Sequence, residues 1–193
     1  MDIAGWDLRY RSGERANEDI DAPPTRLLED TARRMKPGRA LDLACGTGRN
    51  ALWLAKQGWQ VTAIDGAESA IEILRRRAAA HNLVLDSRVA DLEKSDYRIE
   101  TASWDLIAIC YYLQRDLFSP AKQGVVPGGI LVSIVHITEG NEEPTTTRMK
   151  PGELAISFRD WEILHSYEGK PDDPAHRHAV AEIVARRPAM GDR

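Results

Sequence analysis

A glycine-containing turn between a short apolar run and a helical pattern constrains this chain of 193 residues more than any other feature. The apolar run covers residues 39–43, and the turn that follows it contains Gly46 and Gly48. Residues 51–56 have the pattern of a helix, which Gly58 can end in a left-handed conformation. The two glycines let the backbone approach a ligand closely, and the helix N-terminus offers N–H groups that have no partner within the helix. This strand, turn and helix predict the opening of a parallel α/β sheet with a ligand at the turn.

The same alternation of short apolar runs and helical patterns continues along the chain. It predicts strands at residues 60–64, 84–90, 104–110 and 130–137, and helices at residues 67–81 and 117–126. Strands that alternate with helices indicate right-handed βαβ units, so we predict a doubly wound, Rossmann-like α/β sheet with helices on both faces. The last two apolar runs, residues 161–167 and 179–186, leave no room for a crossover helix. They predict an antiparallel hairpin that completes a seven-stranded mixed sheet.

Length and composition favour one domain. Hydrophobic residues make up 42% of the chain, which is enough for a core, and two cysteines are too few for a disulfide scaffold. We divide the chain into an N-terminal helical cap (1–36), a cofactor-binding core (37–136), and a lid loop with the C-terminal hairpin (137–193). The polar stretch at residues 138–152 is longer than most connections and indicates a mobile segment or a lid.

Charge and hydropathy exclude several classes of partner. The formal net charge of −4 provides no basic surface for nucleic acid or for an anionic membrane. No apolar run reaches the roughly 18 residues that a membrane span needs, and the first residues lack the pattern of a secretory signal. We therefore expect a cytoplasmic protein that acts on a small molecule, with no nucleic-acid or membrane partner. The oligomeric state stays open.

Acidic residues close three neighbouring predicted strands. Asp42 lies near the end of the first strand, Asp65 closes the second, 19 residues after Gly46, and Asp91 follows the third. An acid in the position of Asp65 can accept both hydroxyls of a ribose, and Asp91 with the N–H of Leu92 suits the adenine edge. A carboxylate at Asp42 would repel a pyrophosphate but attract an ammonium or a sulfonium group. The three acids therefore favour S-adenosylmethionine (SAM) over NAD.

The residues around the turn resemble a known motif. Asp42-Leu-Ala-Cys-Gly46-Thr-Gly48-Arg-Asn is similar to the first motif of class I SAM-dependent methyltransferases, usually D/E-x-G-x-G-x-G, with Ala44 in place of the first glycine. Asp65 and Asp91 match the second-strand and third-strand acids of that superfamily. The resemblance implies SAM as cofactor and S-adenosylhomocysteine as product. The cofactor-binding residues that we predict are Asp42, Ala44, Cys45, Gly46, Gly48, Asn50, Asp65, Gly66, Asp91, Leu92 and Cys110.

A narrower resemblance involves both ends of the chain. Trp6-Asp-Leu-Arg-Tyr10, residues 48–55, Gly152-Glu-Leu and Trp161-Glu-Ile-Leu look like the tellurite-resistance and thiopurine methyltransferase-like group. This resemblance implies a small, soft nucleophile as methyl acceptor, such as a thiol or a metalloid oxyanion. Some members place a late His-Arg pair near the substrate, so His176 and Arg177 are the catalytic candidates.

Other residues near the predicted strand ends and the N-terminus are candidates for substrate contact. Tyr111 follows the fourth strand, His136 lies near the end of the fifth, and Tyr10 belongs to a possible N-terminal flap. We expect no metal site, because His176-x-His178 has no evident third ligand. We expect the arginines at residues 75–77 to form a solvated helix face.

Two alternative functions compete with methyl transfer. The spacing Gly46-x-Gly48-x-x-Ala51 also satisfies the generic dinucleotide fingerprint, so an NAD-dependent oxidoreductase is one alternative. A SAM-binding regulatory module without turnover is the other. The sequence after the fourth strand, Cys110-Tyr-Tyr-Leu, lacks the Asn/Asp-Pro-Pro-Tyr motif of many amine and nucleic-acid base methyltransferases. That absence supports the module and argues against a DNA or RNA adenine substrate.

Overall fold

The structure, a computed structural model, describes residues 2–13, 22–140 and 142–189. Its strands are β1 (Arg39–Leu43), β2 (Gln60–Asp65), β3 (Asp86–Val89), β4 (Trp104–Cys110), β5 (Val125–His136), β6 (Glu162–Gly169) and β7 (Val180–Arg186). Within the described part of the chain, these seven strands form one mixed sheet in the order β3-β2-β1-β4-β5-β7-β6. The predicted seven-stranded α/β fold is confirmed.

The chain divides into two compact units, residues 1–98 and 99–193. The predicted cofactor-binding core, residues 37–136, includes parts of both units, and the single-domain organisation stays a prediction. The predicted N-terminal cap includes residues 14–21, which lie outside the described residues. None of the helices described is long and apolar enough to cross a membrane.

The first unit contains a three-stranded parallel part of the sheet. Its helices are α1 (Ile3–Arg11), α2 (Arg26–Ala32), α3 (Arg49–Lys56) and α4 (Glu68–Ala80). β2 pairs in parallel with β1 on one side and with β3 on the other. The strands β1 and β2 are buried along most of their length, and their apolar side chains all lie in the core. This burial fixes the position of the turn that follows β1.

Helix α4 forms because its apolar residues recur at helical spacing. Ala70, Ile71, Leu74 and Ala78 are all buried, as the sequence pattern predicts. The N-terminus of α4 is capped by a side chain from α1, since the carboxylate of Asp7 accepts hydrogen bonds from the N–H (2.8 Å) and the hydroxyl (2.7 Å) of Ser69. These bonds lower the pKa of Asp7 and attach α1 to α4.

The second unit contains β4 to β7 with the short helices α5 (Phe118–Gly124) and α6 (Glu153–Ser157). β4 and β5 are parallel, whereas β7 is antiparallel to both β5 and β6. The predicted antiparallel C-terminal hairpin is therefore confirmed. The continuous apolar run in β4 is buried at all but its second and last residues, as expected for a central strand.

The fifth strand differs from its predicted bounds. We expected a turn at Pro127-Gly128-Gly129 before a strand at residues 130–137, but the structure includes this turn within β5. A register shift between Trp104 and Leu106 accommodates the irregularity. Gly128 has a φ of 80°, a conformation that favours glycine, and its N–H donates to the carbonyl oxygen of Arg187 at 2.9 Å. The glycines thus bend a continuous strand.

The polar stretch at residues 138–152 is held at several points. Met149 is buried, and its N–H donates to the carbonyl oxygen of His136 at 2.9 Å. The guanidinium of Arg115 donates to the carbonyl oxygens of Thr145 and Arg148 and to the carboxylate of Glu153. A lid role for this stretch stays a prediction.

Candidate active site

The turn after β1 has three residues in the left-handed region within five positions. They are Ala44 (φ 55°), Gly46 (φ 54°) and Gly48 (φ 84°). A Cβ at Gly48 would lie 2.2 Å from Cδ1 of Leu74 in α4, so only glycine fits there. Ala44 occupies the left-handed region at a cost of roughly 1 kcal/mol, because its Cβ crowds the backbone. The turn therefore has the sharp backbone bend that the glycine spacing predicts.

Asp65 connects the end of β2 to this turn. Its carboxylate accepts hydrogen bonds from the N–H of Gly46 and from the N–H of Ala67, both at 2.8 Å. Burial raises the pKa of Asp65, and the hydrogen bonds from backbone N–H groups act in the opposite direction. The neighbouring Gly66 lies against Ile3 of α1, whose side chain occupies the space that a Cβ would need.

Asp42 is a buried acid within the first unit, 1% exposed. Its Oδ2 accepts no hydrogen bond from any residue that the structure describes. Burial, and then the negative charge of Asp65, raise the pKa of Asp42 to about 7. A buried carboxylate oxygen without a donor is costly unless a ligand supplies one, so Asp42 fits a cationic or N–H-bearing ligand.

Asp91 and Leu92 lie in the turn after β3. The carboxylate of Asp91 accepts from the N–H of Glu93 at 3.0 Å and forms an ion pair with Lys94 at 2.9 Å. The hydrogen bond from Lys94 lowers the pKa of Asp91, so this acid stays ionised at neutral pH. Leu92 is buried. The structure thus places the third predicted acid on the same parallel set of strands as Asp65.

Two further predicted cofactor residues have structural contacts in the turn and in α3. The side-chain oxygen of Asn50 accepts from the N–H of Thr25 at 2.8 Å and so holds the start of α2. The thiol of Cys45 lies 3.6 Å from the carbonyl oxygen of Gly46. Burial, and then the charges of Asp65 and Asp42, raise the pKa of Cys45 well above its ordinary value. This cysteine is therefore a neutral thiol.

The second unit contains a cluster of aromatic and imidazole rings, formed by Tyr111, His136 and His176. The rings of Tyr111 and His176 stack at 3.5 Å with an interplanar angle of 1°. Nδ1 of His176 and Nε2 of His136 lie 3.3 Å apart, so the two imidazoles share a hydrogen bond. Tyr111 has a φ of 60°, and its N–H donates to the carbonyl oxygen of Ile134 at 2.7 Å. Because a φ of 60° is not a strand conformation, β4 ends at Cys110 and Tyr111 turns out of the strand.

The surroundings of this cluster keep His136 neutral. Burial, and then the electrostatic effect of His178 and Arg148, lower the pKa of His136. Arg177 is exposed, and Cys110 at the end of β4 is half-buried. His178 lies 3.8 Å from the carboxylate of Glu139. Among the residues that the structure describes, no group of three or more His, Cys, Asp or Glu side chains could hold a metal ion.

Comparison with known proteins identifies the family. The family model of the tellurite resistance protein TehB matches residues 25–172, more than half of the chain. The chain belongs to the TehB family. The resemblance to class I SAM-dependent methyltransferases, drawn from the turn motif, is confirmed at the level of the family.

TehB of Haemophilus influenzae illustrates the relationship in both sequence and structure. The chain is 26% identical over 175 residues to the "Probable S-adenosyl-L-methionine-dependent methyltransferase TehB" of Haemophilus influenzae, across 82% of this chain and 60% of that protein. The crystal structure of TehB from Haemophilus influenzae superposes with a TM-score of 0.71 at 25% identity, over 83% of this chain and 61% of that one. The chain thus spans about 60% of the length of the curated TehB relative that it matches.

A more distant structure shares the fold over nearly the whole chain. It is the Burkholderia thailandensis 1,6-didemethyltoxoflavin-N1-methyltransferase with bound 1,6-didemethyltoxoflavin and S-adenosylhomocysteine. Its TM-score is 0.72 at 18% identity, covering 96% of this chain and 87% of that one. This match extends the fold assignment beyond the TehB relatives.

The structure corrects one expectation about α4 of this TehB-family chain. Residues 75–77 were expected to form a solvated helix face, but only Arg75 and Arg76 are exposed. Arg77 is half-buried, and its Nη1 donates to the carbonyl oxygen (2.8 Å) and the hydroxyl (3.1 Å) of Thr47 in the glycine turn. Three consecutive arginines cannot be told apart from the sequence, because only the packing of α4 determines which of them points towards the turn.

Tyr10 lies in apolar packing of the first unit. It is 8% exposed and forms a buried cluster with Ala67, Ala70 and Ile73, while its ring stacks on Trp6 at 6.2 Å. These contacts attach α1 to α4. Substrate contact by Tyr10 stays a prediction.

Proposed function

We propose that this chain is a SAM-dependent methyltransferase that transfers a methyl group to a small, soft nucleophile. The observation that carries the proposal is Asp42: a buried carboxylate whose Oδ2 has no donor among the described residues, located directly before the glycine turn. A cationic methionine moiety supplies the missing charge and donor. A pyrophosphate would instead meet two buried acids, Asp42 and Asp65, which disfavours NAD.

We assign the remaining cofactor contacts by position. Asp65 would receive the ribose hydroxyls, since each of its oxygens retains acceptor capacity beyond its bond to a backbone N–H. The carboxylate of Asp91 would accept a hydrogen bond from the adenine amino group, with the N–H of Leu92 beside it. Gly46 and Gly48, together with Asp42, would hold the methionine portion. Because the glycines have no Cβ, the backbone of the bend can approach the methionine portion closely.

We assign the acceptor to the cluster of Tyr111, His136 and His176. When bound, SAM would supply an electrophilic methyl group that the nucleophile attacks in line, with S-adenosylhomocysteine as the leaving group. A protonated acceptor, such as a thiol near neutral pH, must also lose a proton, and a neutral imidazole can accept it. Because burial lowers the pKa of His136, this imidazole is neutral at neutral pH and is the proposed acceptor of that proton. Arg177 is exposed and suits an anionic acceptor.

The name of the TehB family supports a soft nucleophile as the methyl acceptor. Its description as a tellurite resistance protein points to a metalloid oxyanion or to a related selenium or sulfur nucleophile. Such nucleophiles react readily with a methyl sulfonium when they are aligned, and alignment in a bound complex can contribute about 7–11 kcal/mol. A small-molecule acceptor therefore agrees with both the chemistry and the family.

Calorimetry tests the cofactor. SAM, S-adenosylhomocysteine and NADH are titrated into the wild type, into Asp42→Asn and into the control Asp86→Asn, an acid on β3 whose side chain is 46% exposed. We expect the wild type to bind SAM more tightly than NADH, Asp42→Asn to lose about tenfold in SAM affinity, and the control to match the wild type. Saturable NADH binding that exceeds SAM binding would overturn the assignment.

A release assay tests turnover and the acceptor. Formation of S-adenosylhomocysteine is followed with a panel of thiols, selenite and tellurite, halides, and small carboxylates. We expect turnover with thiols or metalloid oxyanions. Tight SAM binding without turnover on any acceptor would favour the regulatory module, and turnover confined to protein or RNA acceptors would exclude the small-molecule assignment.

A further inference from the structure

The glycine turn is held from outside by one arginine of α4. Nη1 of Arg77 donates to both the carbonyl oxygen and the hydroxyl of Thr47, at 2.8 and 3.1 Å. Thr47 is 1% exposed and lies between the two glycines of the turn. A charged donor to a buried carbonyl is among the stronger hydrogen bonds in proteins. Arg77 thus fixes the central residue of the turn.

A second contact from the same helix lies beside the first. Leu74 precedes Arg77 by one turn of α4, so the two side chains extend from the same face. The side chain of Leu74 fills the space at Gly48 in which a Cβ would otherwise stand. Helix α4 therefore contacts the turn at two consecutive residues, Thr47 by hydrogen bonds and Gly48 by packing.

The turn needs such support because its own conformation is strained and irregular. Left-handed φ values at Ala44, Gly46 and Gly48 interrupt the regular backbone conformation of helix and strand in this segment. Within the turn, the N–H of Gly48 donates to the carbonyl oxygen of Cys45 at 3.0 Å, and Asp65 receives the N–H of Gly46. A segment of this kind that is ordered only on binding would lose affinity to the entropy of ordering.

We propose that Arg77 is a positioning residue for the cofactor: it holds Thr47 so that the glycine turn keeps its ligand-binding conformation before the cofactor arrives. This inference rests on the proposed use of the turn to bind SAM. Arg77 acts through Thr47 and touches no reacting atom. Its removal raises the concentration of SAM required and leaves turnover at saturating SAM unchanged.

The neighbouring arginines provide matched controls on the same helix. Arg76 is exposed, and Arg75 is exposed and donates to Ser87 of β3 at 3.0 Å. Arg76→Met changes charge and helix content as Arg77→Met does, without touching the turn. Arg77→Lys keeps the charge but offers a single donor nitrogen in place of the planar guanidinium.

The first measurement is SAM affinity, together with the steady-state constants. We expect Arg77→Met to weaken SAM binding about tenfold and to raise KM for SAM with kcat unchanged, Arg77→Lys to recover part of the loss, and Arg76→Met to match the wild type. Thr47→Val removes one of the two acceptors, so it should weaken binding about threefold and add little in the Arg77→Met background. Wild-type affinity in Arg77→Met overturns the proposal.

The second measurement does not depend on the cofactor. Hydrogen exchange of the peptide that contains Gly46 and Gly48 is followed in the protein without SAM. We expect faster exchange of this peptide in Arg77→Met, with the strands β1 and β2 unchanged, and no effect in Arg76→Met. Faster exchange throughout residues 22–98 would instead show general destabilisation and overturn the positioning role. If the wild type binds no SAM, the proposed function fails while this exchange result still decides whether Arg77 holds the turn.

Discussion

The acidic glycine turn of the first unit and the imidazole cluster of the second respond to burial in opposite directions. Desolvation raises the pKa of Asp42 and lowers the pKa of His136, because in each case it disfavours the charged form. Both groups are thereby shifted towards neutrality near pH 7. Under the proposed function, a cationic ligand would favour the ionised form of Asp42, whereas the neutral His136 could accept a proton.

The two regions also differ in how their side chains are held. Asp65 is fixed by two backbone N–H groups, that of Ala67 two positions later and that of Gly46 in the turn 19 positions earlier. His176 is fixed by the ring of Tyr111 and by the imidazole of His136, residues 65 and 40 positions away. Under the proposed function, the first region binds the cofactor and the ring cluster accepts a proton. The predictions below test this division.

The largest effect is expected in the ring cluster. His176→Ala removes the partner of His136 and should lower kcat about 100-fold for an acceptor that must lose a proton, with SAM affinity unchanged. His81→Ala, an exposed histidine after α4, is the control. Partial recovery of His176→Ala by added imidazole would identify proton transfer as the lost step. A kcat equal to that of the wild type would remove the catalytic assignment.

A substitution in the acidic region should lower SAM affinity and leave kcat almost unchanged. Asp65→Ala removes the acceptor for two backbone N–H groups and for the ribose, so SAM affinity should fall by roughly 30-fold or more. The change is measured by calorimetry, with Asp86→Ala as the exposed-acid control. At saturating SAM, kcat should change little. Unchanged affinity would show that the spacing between Gly46 and Asp65 has no role in cofactor binding.

The third largest effect concerns the pH dependence of stability, which should differ between Asp42 in the first unit and His136 in the second. Asp42 has a folded pKa of about 7 against an ordinary value of 3.8, so the folded state keeps a proton that the unfolded state releases. Its contribution to stability is present below about pH 4 and is lost as the pH rises to about 7. Asp42→Asn should flatten this decline and raise stability above pH 7 by on the order of 3 kcal/mol.

His136 should lower the stability of the protein at acidic pH, whereas Asp42 lowers it as the pH rises. Its folded pKa lies below the ordinary value of 6.5, so the unfolded state gains a proton first as the pH falls. This group therefore destabilises the protein below about pH 6.5, and His136→Gln should reduce that loss. Urea unfolding between pH 5 and 8 measures both slopes. Identical profiles for the wild type and the two variants would contradict the assigned burial effects.

The smallest effect concerns backbone strain, which both regions contain. Ala44 and Tyr111 are non-glycine residues with φ values of 55° and 60°. Ala44→Gly should stabilise the protein by about 0.5–1 kcal/mol, because the strain is relieved without loss of contacts. Tyr111→Gly should destabilise it, because the ring that stacks on His176 is lost. Thermal unfolding of the two variants compares them directly.

Local pattern was sufficient for the sheet and for the acidic turn. Residues 39–43 and 104–110 were predicted with the bounds that the structure has, because buried parallel strands are rich in apolar residues. Asp42 and Asp65 were predicted from their spacing to Gly46, and Asp91 from its position after the third predicted strand. The irregular start of β5 was missed because Gly128 and Gly129 are as typical of a turn as of a bend within a strand.

Contacts between distant residues depended on the tertiary structure. The sequence of residues 75–77 contains no sign that Arg77 alone reaches Thr47, and nothing in the spacing of Tyr111, His136 and His176 indicates that their rings meet. The sequence alone determined where strands end and which residue types lie there, because hydrophobic periodicity and turn chemistry are local properties. Which side chains face one another was decided by the packing of helices and loops, because that packing minimises the free energy of the whole fold rather than of any one segment.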